Sequence, residues 1–313
     1  MNLAPLPVGS VDRVVLLGTP DMAVSTAEAL VVAGIVVDHV VTRVDKRRGR
    51  GGSLSPSPLK AWAIDRGIPV SHRAADLLEL SPAPRLGVVV AYGELIKSDV
   101  LARVPLVNLH YSLLPRWRGA APVERCILAL DTESGVDLMR IEEGLDTGDV
   151  FDERRVAVDP FRTTAAELRD RLVPLGAEML IENLRRGLGV PRPQEGEASH
   201  AAKISADDLR LRFSAPIMDV LARVRVGGAW CEFRGRRLKV LRAEIVSGPS
   251  SGSSVGSSVG SSFGPAGTCR VGREGVEVAV ADGVLRLLEV QPEGKPIMDA
   301  SAWARGSRPD VLA

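Results

Sequence analysis

The sequence predicts an α/β protein, with a mostly parallel sheet covered by helices in the N-terminal part and a small β-barrel domain after it. Two observations carry this. Up to about residue 187, short and wholly apolar runs alternate with segments of helical period, the pattern of strands buried on both faces of a parallel sheet. After residue 206 the texture changes to short strands separated by turns, the pattern of a small barrel.

The elements follow in order. Val14–Leu17 is an apolar run closed by Gly18-Thr19-Pro20, which reads as a buried first strand. Residues 22–33 read as helix, Val36–Thr42 as a second strand, Pro56–Arg66 as helix and Leu86–Ala91 as a third strand. Glu94–Leu101 is expected to be a short helix, Val104–His110 a strand and Pro122–Leu130 a helix. Gly135–Ile141 and Val150–Val158 read as strands and Thr163–Arg186 as a long helix. In such Rossmann-like sheets, reactive groups sit at the carboxyl ends of the strands. Domain 1–187 is therefore the expected catalytic part. No Gly-x-Gly-x-x-Gly follows the first strand, which argues against a dinucleotide cofactor.

Residues 188–206, rich in Pro, Gly and Glu, are expected to be a linker. Domain 207–313 then offers Trp230–Phe233, Leu238–Val246, Gly275–Val280 and Val284–Val290 as strands. Between them, 247–265 repeats Ser-Ser-Val-Gly with too little side chain to bury, and a flexible surface loop is expected.

Composition narrows the class. A chain of 313 residues with 45% hydrophobic and 25% charged residues fits a soluble protein of two domains. Cationic and acidic residues number 40 and 39, so only their distribution can speak of partners. Cys126, Cys231 and Cys269 form no Cys-x-x-Cys pair, and the four histidines are scattered. No metal site is expected, and the cysteines fit a reducing cytoplasm. The N-terminus lacks a basic segment before an apolar run, and Ala29–Val37 is far too short to span a bilayer, so no membrane association is expected.

Three segments carry chemistry. Asn108 and His110 lie two apart at the end of an apolar strand and so share a face. An isolated Asn-x-His is more often a satisfied core pair, but here the strand ends at once in the turn Ser112-Leu113-Leu114-Pro115. Glu142–Asp149 is an acidic loop with Gly144 and Gly148 where the backbone could bend. Arg43, Lys46, Arg47, Arg48 and Arg50, against Asp45 alone, give a local excess of +4 directly after the second strand. A mobile cationic loop at that face could hold phosphates.

Together these segments resemble the family of folate-dependent formyltransferases. An Asn-x-His strand end, a Ser-Leu-Leu-Pro-x-x-Arg-Gly turn and a Gly-x-Asp-x-Gly loop form one site in that family. Here Asn108, His110, Ser112–Pro115 and Gly144-Leu145-Asp146-Thr147-Gly148 match them. The resemblance continues in Gly18–Val24, Ser55–Lys60, Val89–Gly93 and Leu287–Lys295, almost the whole chain, and narrows to the branch that acts on the initiator tRNA.

The resemblance implies a catalytic trio of Asn108, His110 and Asp146. It implies 10-formyltetrahydrofolate as formyl donor, with Ser112, Leu113, Leu114 and Pro115 on the folate side and Tyr92, Gly93, Glu94 and Leu95 nearby. It implies methionine on initiator tRNA as acceptor, with Arg43, Lys46, Arg47, Arg48 and Arg50 entering the acceptor stem. An oligonucleotide-binding-like (OB-like) barrel, with Arg234, Arg236, Arg237, Lys239 and Arg242, would contact the tRNA. The chain is expected to act as a monomer and without a metal. The same trio would serve a formyltransferase for a small amine such as an amino sugar nucleotide, which needs neither the barrel nor the cationic loop. Two departures stand out. Ser134 and Asp137 replace the family's frequent threonines, and Arg225-Val226-Gly227-Gly228 replaces its usual Pro-Trp-Pro-Gly.

Overall fold

The computed structural model describes residues 2–47, 52, 54–247, 263–272 and 274–313. The chain forms two compact units. The first comprises Met1–Pro122, Glu133–Ala157 and Arg169–Ala202; the second comprises Val123–Thr132, Val158–Leu168 and Lys203–Ala313.

The first unit is built on a seven-stranded sheet. Its strands are β1 (Arg13–Gly18), β2 (Val36–Val41), β5 (Val70–Ser71), β6 (Gly87–Val90), β7 (Leu106–His110), β9 (Glu133–Arg140) and β10 (Val150–Ala157). The order is β10-β9-β7-β6-β1-β2-β5. β7, β6, β1, β2 and β5 are mutually parallel, and β9 runs antiparallel to both of its neighbours. The mostly parallel expectation is thus met. The parallel strands at the centre are mostly apolar: β6 is Gly-Val-Val-Val and buried throughout, and β1 is buried after Arg13. Each fully buried Leu or Val stabilises by about 1.5–3 kcal/mol.

Helices α1 (Asp21–Val32), α2 (Pro58–Asp65), α3 (Ser98–Leu101) and most of α5 (Ala165–Arg186) accompany this sheet. The Ser57 hydroxyl accepts from Lys60 N–H and caps α2, with Pro58 at its first position. From β1 the chain lays down β2 and β5 on one side, then crosses to β6 and β7 on the other. The carboxyl ends of β1, β6 and β7 therefore flank the switch point of the sheet, where ligands bind in open parallel sheets.

Three details differ from expectation. The helix expected over 94–101 is confined to Ser98–Leu101, because Gly93 turns the chain at φ 72° and Glu94–Lys97 runs as loop. The basic segment begins as a ribbon, β3 (Lys46–Arg47) paired with β4 (Leu54–Ser55), while Arg48 and Arg50 lie outside the described residues. Much of the stretch read as a linker is tied into the first unit. Arg192 pairs with Val150, and β11 (His200–Ala201) pairs in parallel with β8 (Arg118–Gly119). Composition does not reveal these two pairings, because they are made by backbone groups.

The second unit is a curled antiparallel half-barrel. Its strands are β12 (Trp230–Phe233), β13 (Arg236–Ser247), β14 (Cys269–Val271), β15 (Val276–Val280) and β16 (Gly283–Pro292), in the order β12-β13-β16-β15-β14, with β17 (Met298–Asp299) on β16. Its edge strands meet the chain end: Ala313 N–H donates to the Glu232 carbonyl, and Cys269 N–H to the Asp310 carbonyl. The barrel expectation holds in this open form. Helices α4 (Pro122–Leu128), α6 (Ile217–Val226) and α7 (Ala300–Ser307) belong here, and α6 and α7 escaped the sequence reading. Val220, Leu221, Val240, Leu285 and Trp303 share its core. Arg225 lies buried near the end of α6, with Nη1 donating to the Asp159 and Thr163 carbonyls. Of the Ser/Gly loop, residues 248–262 lie outside the described residues.

No helix among the described residues is long and apolar enough to cross a membrane.

Candidate active site

β7 delivers two polar side chains to the carboxyl end of the sheet. Its sequence is Leu-Val-Asn-Leu-His, buried except at the half-buried Asn108. Asn108 lies opposite Met139 of β9, and His110 opposite Asp137. Among the described residues no partner takes the Asn108 amide, which leaves both donors available at the mouth of the sheet.

His110 is only 5% exposed. Its Nε2 lies 2.9 Å from the Trp117 carbonyl oxygen, and its Nδ1 lies 3.6 Å from Asp146 Oδ2. Both ring nitrogens thus face acceptors. The Trp117 carbonyl is within hydrogen-bond distance of Nε2, and the Asp146 carboxylate faces Nδ1 from just beyond it.

Asp146 sits at φ 51°, the left-handed region, at a cost on the order of 1 kcal/mol for a residue with a side chain. The surroundings hold it there. Gly119 N–H donates to its Oδ2 at 2.8 Å, and its own carbonyl accepts from Gln194 Nε2 at 2.9 Å. The expected bend at the loop glycines falls instead on Asp146. Gly148 is needed for another reason: a Cβ there would collide with the Arg140 carbonyl oxygen, so the loop passes too close for any side chain.

The Ser112–Pro115 turn follows directly. Ser112 Oγ donates to the Arg116 carbonyl at 2.6 Å, and the Leu114–Pro115 peptide is cis. Leu114 N–H donates to Asp137 Oδ2 at 2.8 Å. Asp137 is fully buried, its other oxygen has no partner among the described residues, and burial pushes its carboxyl up to about 8. Glu153 adds to that push, while the Leu114 N–H, Arg155 and Arg192 oppose it. Asp137 is thus bound to the turn itself, a contact that its place in the sequence did not reveal.

At the end of β6, Tyr92 is buried with its hydroxyl 3.5 Å from Glu94, and burial pushes the phenol up to about 12. Leu95 is 80% exposed, an apolar side chain left open on this face. Arg43 does not stand free: its guanidinium donates to the Gly93 carbonyl and pairs with Glu94 at 3.4 Å. Lys46 and Arg47 are exposed, and Lys60 pairs with Asp45 at 2.7 Å at the base of their ribbon. Among the described residues no group of three or more His, Cys, Asp or Glu side chains is gathered to hold a metal ion.

A mostly parallel sheet with an Asn-x-His strand end, a carboxylate facing the histidine and a Ser-Leu-Leu-Pro turn is the arrangement of a formyl transferase, and the family comparisons agree. Residues 12–184 match the formyl transferase family, and residues 203–308 match the formyl transferase C-terminal domain. The chain belongs to the formyl transferase family.

Its sequence is similar to the methionyl-tRNA formyltransferase of Symbiobacterium thermophilum, 40% identical over 94% of this chain and 92% of that one. It is also similar to that of Thermus thermophilus, 42% identical over 94% and 96%. Among solved structures, the methionyl-tRNA formyltransferase from Clostridium thermocellum aligns with a TM-score of 0.52 at 17% identity, over 75% of this chain and 94% of that one. An N-formyltransferase from Helicobacter canadensis, in complex with folinic acid and dTDP-3-aminofucose, aligns with a TM-score of 0.63 at 16% identity, over 90% and 99%. At those identities the solved structures speak for the fold alone.

Proposed function

We propose that this chain moves the formyl group of 10-formyltetrahydrofolate onto the free amino group of methionyl initiator tRNA, giving N-formylmethionyl-tRNA for translation initiation. The observation that carries this reading is similarity at about 40% identity to methionyl-tRNA formyltransferases, extending over 94% of the chain and so through both units. The chain works as a cytoplasmic monomer and without a metal ion.

The folate donor supplies an activated formyl group on N10. Asn108, whose amide no described residue takes, donates to the formyl oxygen as negative charge grows there; one such donor is worth about 10²–10³ in rate. His110 lies on the same face, with Nε2 against the Trp117 carbonyl and Nδ1 facing Asp146. Asp146 orients that ring and takes a proton from the ammonium, directly or through water, so that the free amine attacks the formyl carbon; the C–N10 bond then breaks and a proton returns to N10 as tetrahydrofolate leaves. The Ser112–Pro115 turn and the Tyr92–Leu95 segment, with its exposed Leu95, receive the folate. The fit lies in the groups gathered at the face: the Asn108 amide, the His110 imidazole and the open apolar side chain of Leu95 suit a flat donor that develops an oxyanion.

Two cationic groups engage the tRNA. One is the Arg43–Arg50 segment of the first unit, through its exposed Lys46 and Arg47, while Arg43 stays bound to Gly93 and Glu94. The other is the β12–β13 hairpin of the second, where Arg237 stacks 4.1 Å from the Trp230 ring and Arg234 lies 4.8 Å from the Phe233 ring. The testing experiment is a formyl-transfer assay with methionyl initiator tRNA, an elongator methionyl-tRNA and an amino sugar nucleotide in parallel. Transfer to the initiator alone is expected, and efficient transfer to the sugar nucleotide would overturn the reading.

A further inference from the structure

The segment 192–201 falls between the two family matches, which end at 184 and resume at 203. It nonetheless touches the turn and the loop that frame His110. Ser199 Oγ accepts from Trp117 N–H at 2.9 Å, and the Ser199 carbonyl accepts from Arg118 N–H at 2.9 Å. The Ala201 carbonyl accepts from the N–H groups of Ala120 and Ala121. The turn fixed in this way presents the Trp117 carbonyl to His110 and the Gly119 N–H to Asp146.

One side chain of this segment reaches the Asp146 loop itself. Gln194 Nε2 donates to the Asp146 carbonyl at 2.9 Å and to the Gly148 carbonyl at 2.8 Å. Its Oε1 accepts from Arg118 Nε at 3.0 Å and Nη2 at 2.6 Å. The orientation of the amide is fixed by its partners, since guanidinium only donates and carbonyls only accept. All of its hydrogen-bonding capacity is therefore spent on the two loops that meet at His110.

We propose that Gln194 is a positioning residue that holds Asp146 in its left-handed conformation facing His110, by clamping the loop carbonyls on both sides of Thr147 to the Arg118 turn. Asp146 occupies a conformation that a residue with a side chain adopts only under constraint. Its carboxylate is set by Gly119, one residue after Arg118, and its backbone by Gln194, which grips Arg118. Without the clamp the loop can relax, and the 3.6 Å approach of Oδ2 to His110 opens. This inference rests on the proposed role of the trio in formyl transfer.

The test compares Gln194→Ala, Gln194→Glu and Asp146→Ala with the double variant of Gln194→Ala and Asp146→Ala, by single-turnover formylation of methionyl initiator tRNA. Gln194→Glu keeps the size and the bond to Arg118 but cannot donate to the carbonyls. Both single changes at Gln194 are expected to lower the formylation rate by about 10²-fold, the cost of a misplacement near 1 Å, with KM for the folate donor nearly unchanged. In the Asp146→Ala background, Gln194→Ala should lower the rate no further, because residues that act through one another are not additive. Wild-type turnover in Gln194→Glu, or a full additional loss in the double variant, overturns the inference while leaving the trio intact. Wild-type turnover in Asp146→Ala overturns the trio, and this inference with it.

Discussion

His110 and Asp146 meet through one carboxylate oxygen, with Oδ2 3.6 Å from Nδ1, and that same oxygen accepts from Gly119 N–H at 2.8 Å. The carboxylate is therefore fixed from the backbone side before it meets the ring. Replacing it by an amide of equal size separates charge from shape. Asp146→Asn can keep the Gly119 bond and the fold but removes the negative charge facing His110. Turnover is expected to fall by about 10²–10⁴-fold, as for loss of a group that moves a proton. Thermal unfolding should move little. Near-normal turnover in folded Asp146→Asn would show that the charge is not used.

Asp137 makes stability depend on pH. Burial holds its carboxyl at about 8, against about 3.9 for an exposed aspartate. Between those values the folded chain keeps a proton that the unfolded chain has released. This contribution to stability is therefore fully present below about pH 4, is lost as pH rises through about 8, and is level above that. The steepest loss is about 1.4 kcal/mol per pH unit. Asp137→Asn can still accept from Leu114 N–H and has no proton to lose. Denaturant unfolding across pH 4–9 should show the variant gaining on the wild type as pH rises. A difference that stays constant with pH would mean that Asp137 is not held neutral.

Gly135 of β9 tests the folate side. A Cβ there would collide with Leu113 Cδ2 and with the Arg154 carbonyl oxygen. The first neighbour belongs to the turn proposed to receive folate; the second is backbone of the adjoining strand. Gly135→Ala must therefore push Leu113 aside or spread β9 from β10. Such overpacking costs about 1–3 kcal/mol. KM for the folate donor should rise more than KM for the tRNA. A variant of wild-type stability and unchanged folate KM would separate the turn from the folate pocket.

Much of this was legible in the sequence, and the reasons differ by element. The apolar runs of β1, β2, β6 and β7 announce themselves because burial on both faces leaves little polar alternation to confuse the reading. Asn108 and His110 stand out because polar side chains interrupt such a run at its end. β8 and β11 were hidden, since two-residue strands have no period, and so was the grip of Gln194 in a stretch whose composition reads as linker. α6, Ile217–Val226, lies amid strand signals and ends by alternating Val with Arg, which blurs its helical stripe. The bond of Arg43 to Gly93 and Glu94 leaves no local pattern, since its partners lie some fifty residues on.

That placement of Arg43 divides the cationic segment into two functions. Arg43 is bound to the Gly93 carbonyl and to Glu94, so its charge is already answered within the segment proposed to border the folate. Lys46 and Arg47 are exposed on their ribbon and have no such partner among the described residues. The two kinds of cation should therefore separate by salt. Neutralising Lys46 and Arg47 together should weaken kcat/KM for methionyl initiator tRNA. It should also reduce the magnitude of the slope of log kcat/KM against log salt by roughly 0.7–0.9 for each phosphate no longer neutralised. KM for the folate donor should not change. Arg43→Ala should leave the salt slope nearly as it was but release Gly93 and Glu94, raising KM for the donor. The measurement is kcat/KM on charged initiator tRNA at several salt concentrations, with KM for the donor taken for each variant. An unchanged slope after Lys46 and Arg47 are neutralised would remove this ribbon from the tRNA interface. A slope that falls equally with Arg43→Ala would mean that the bond to Glu94 opens when tRNA arrives.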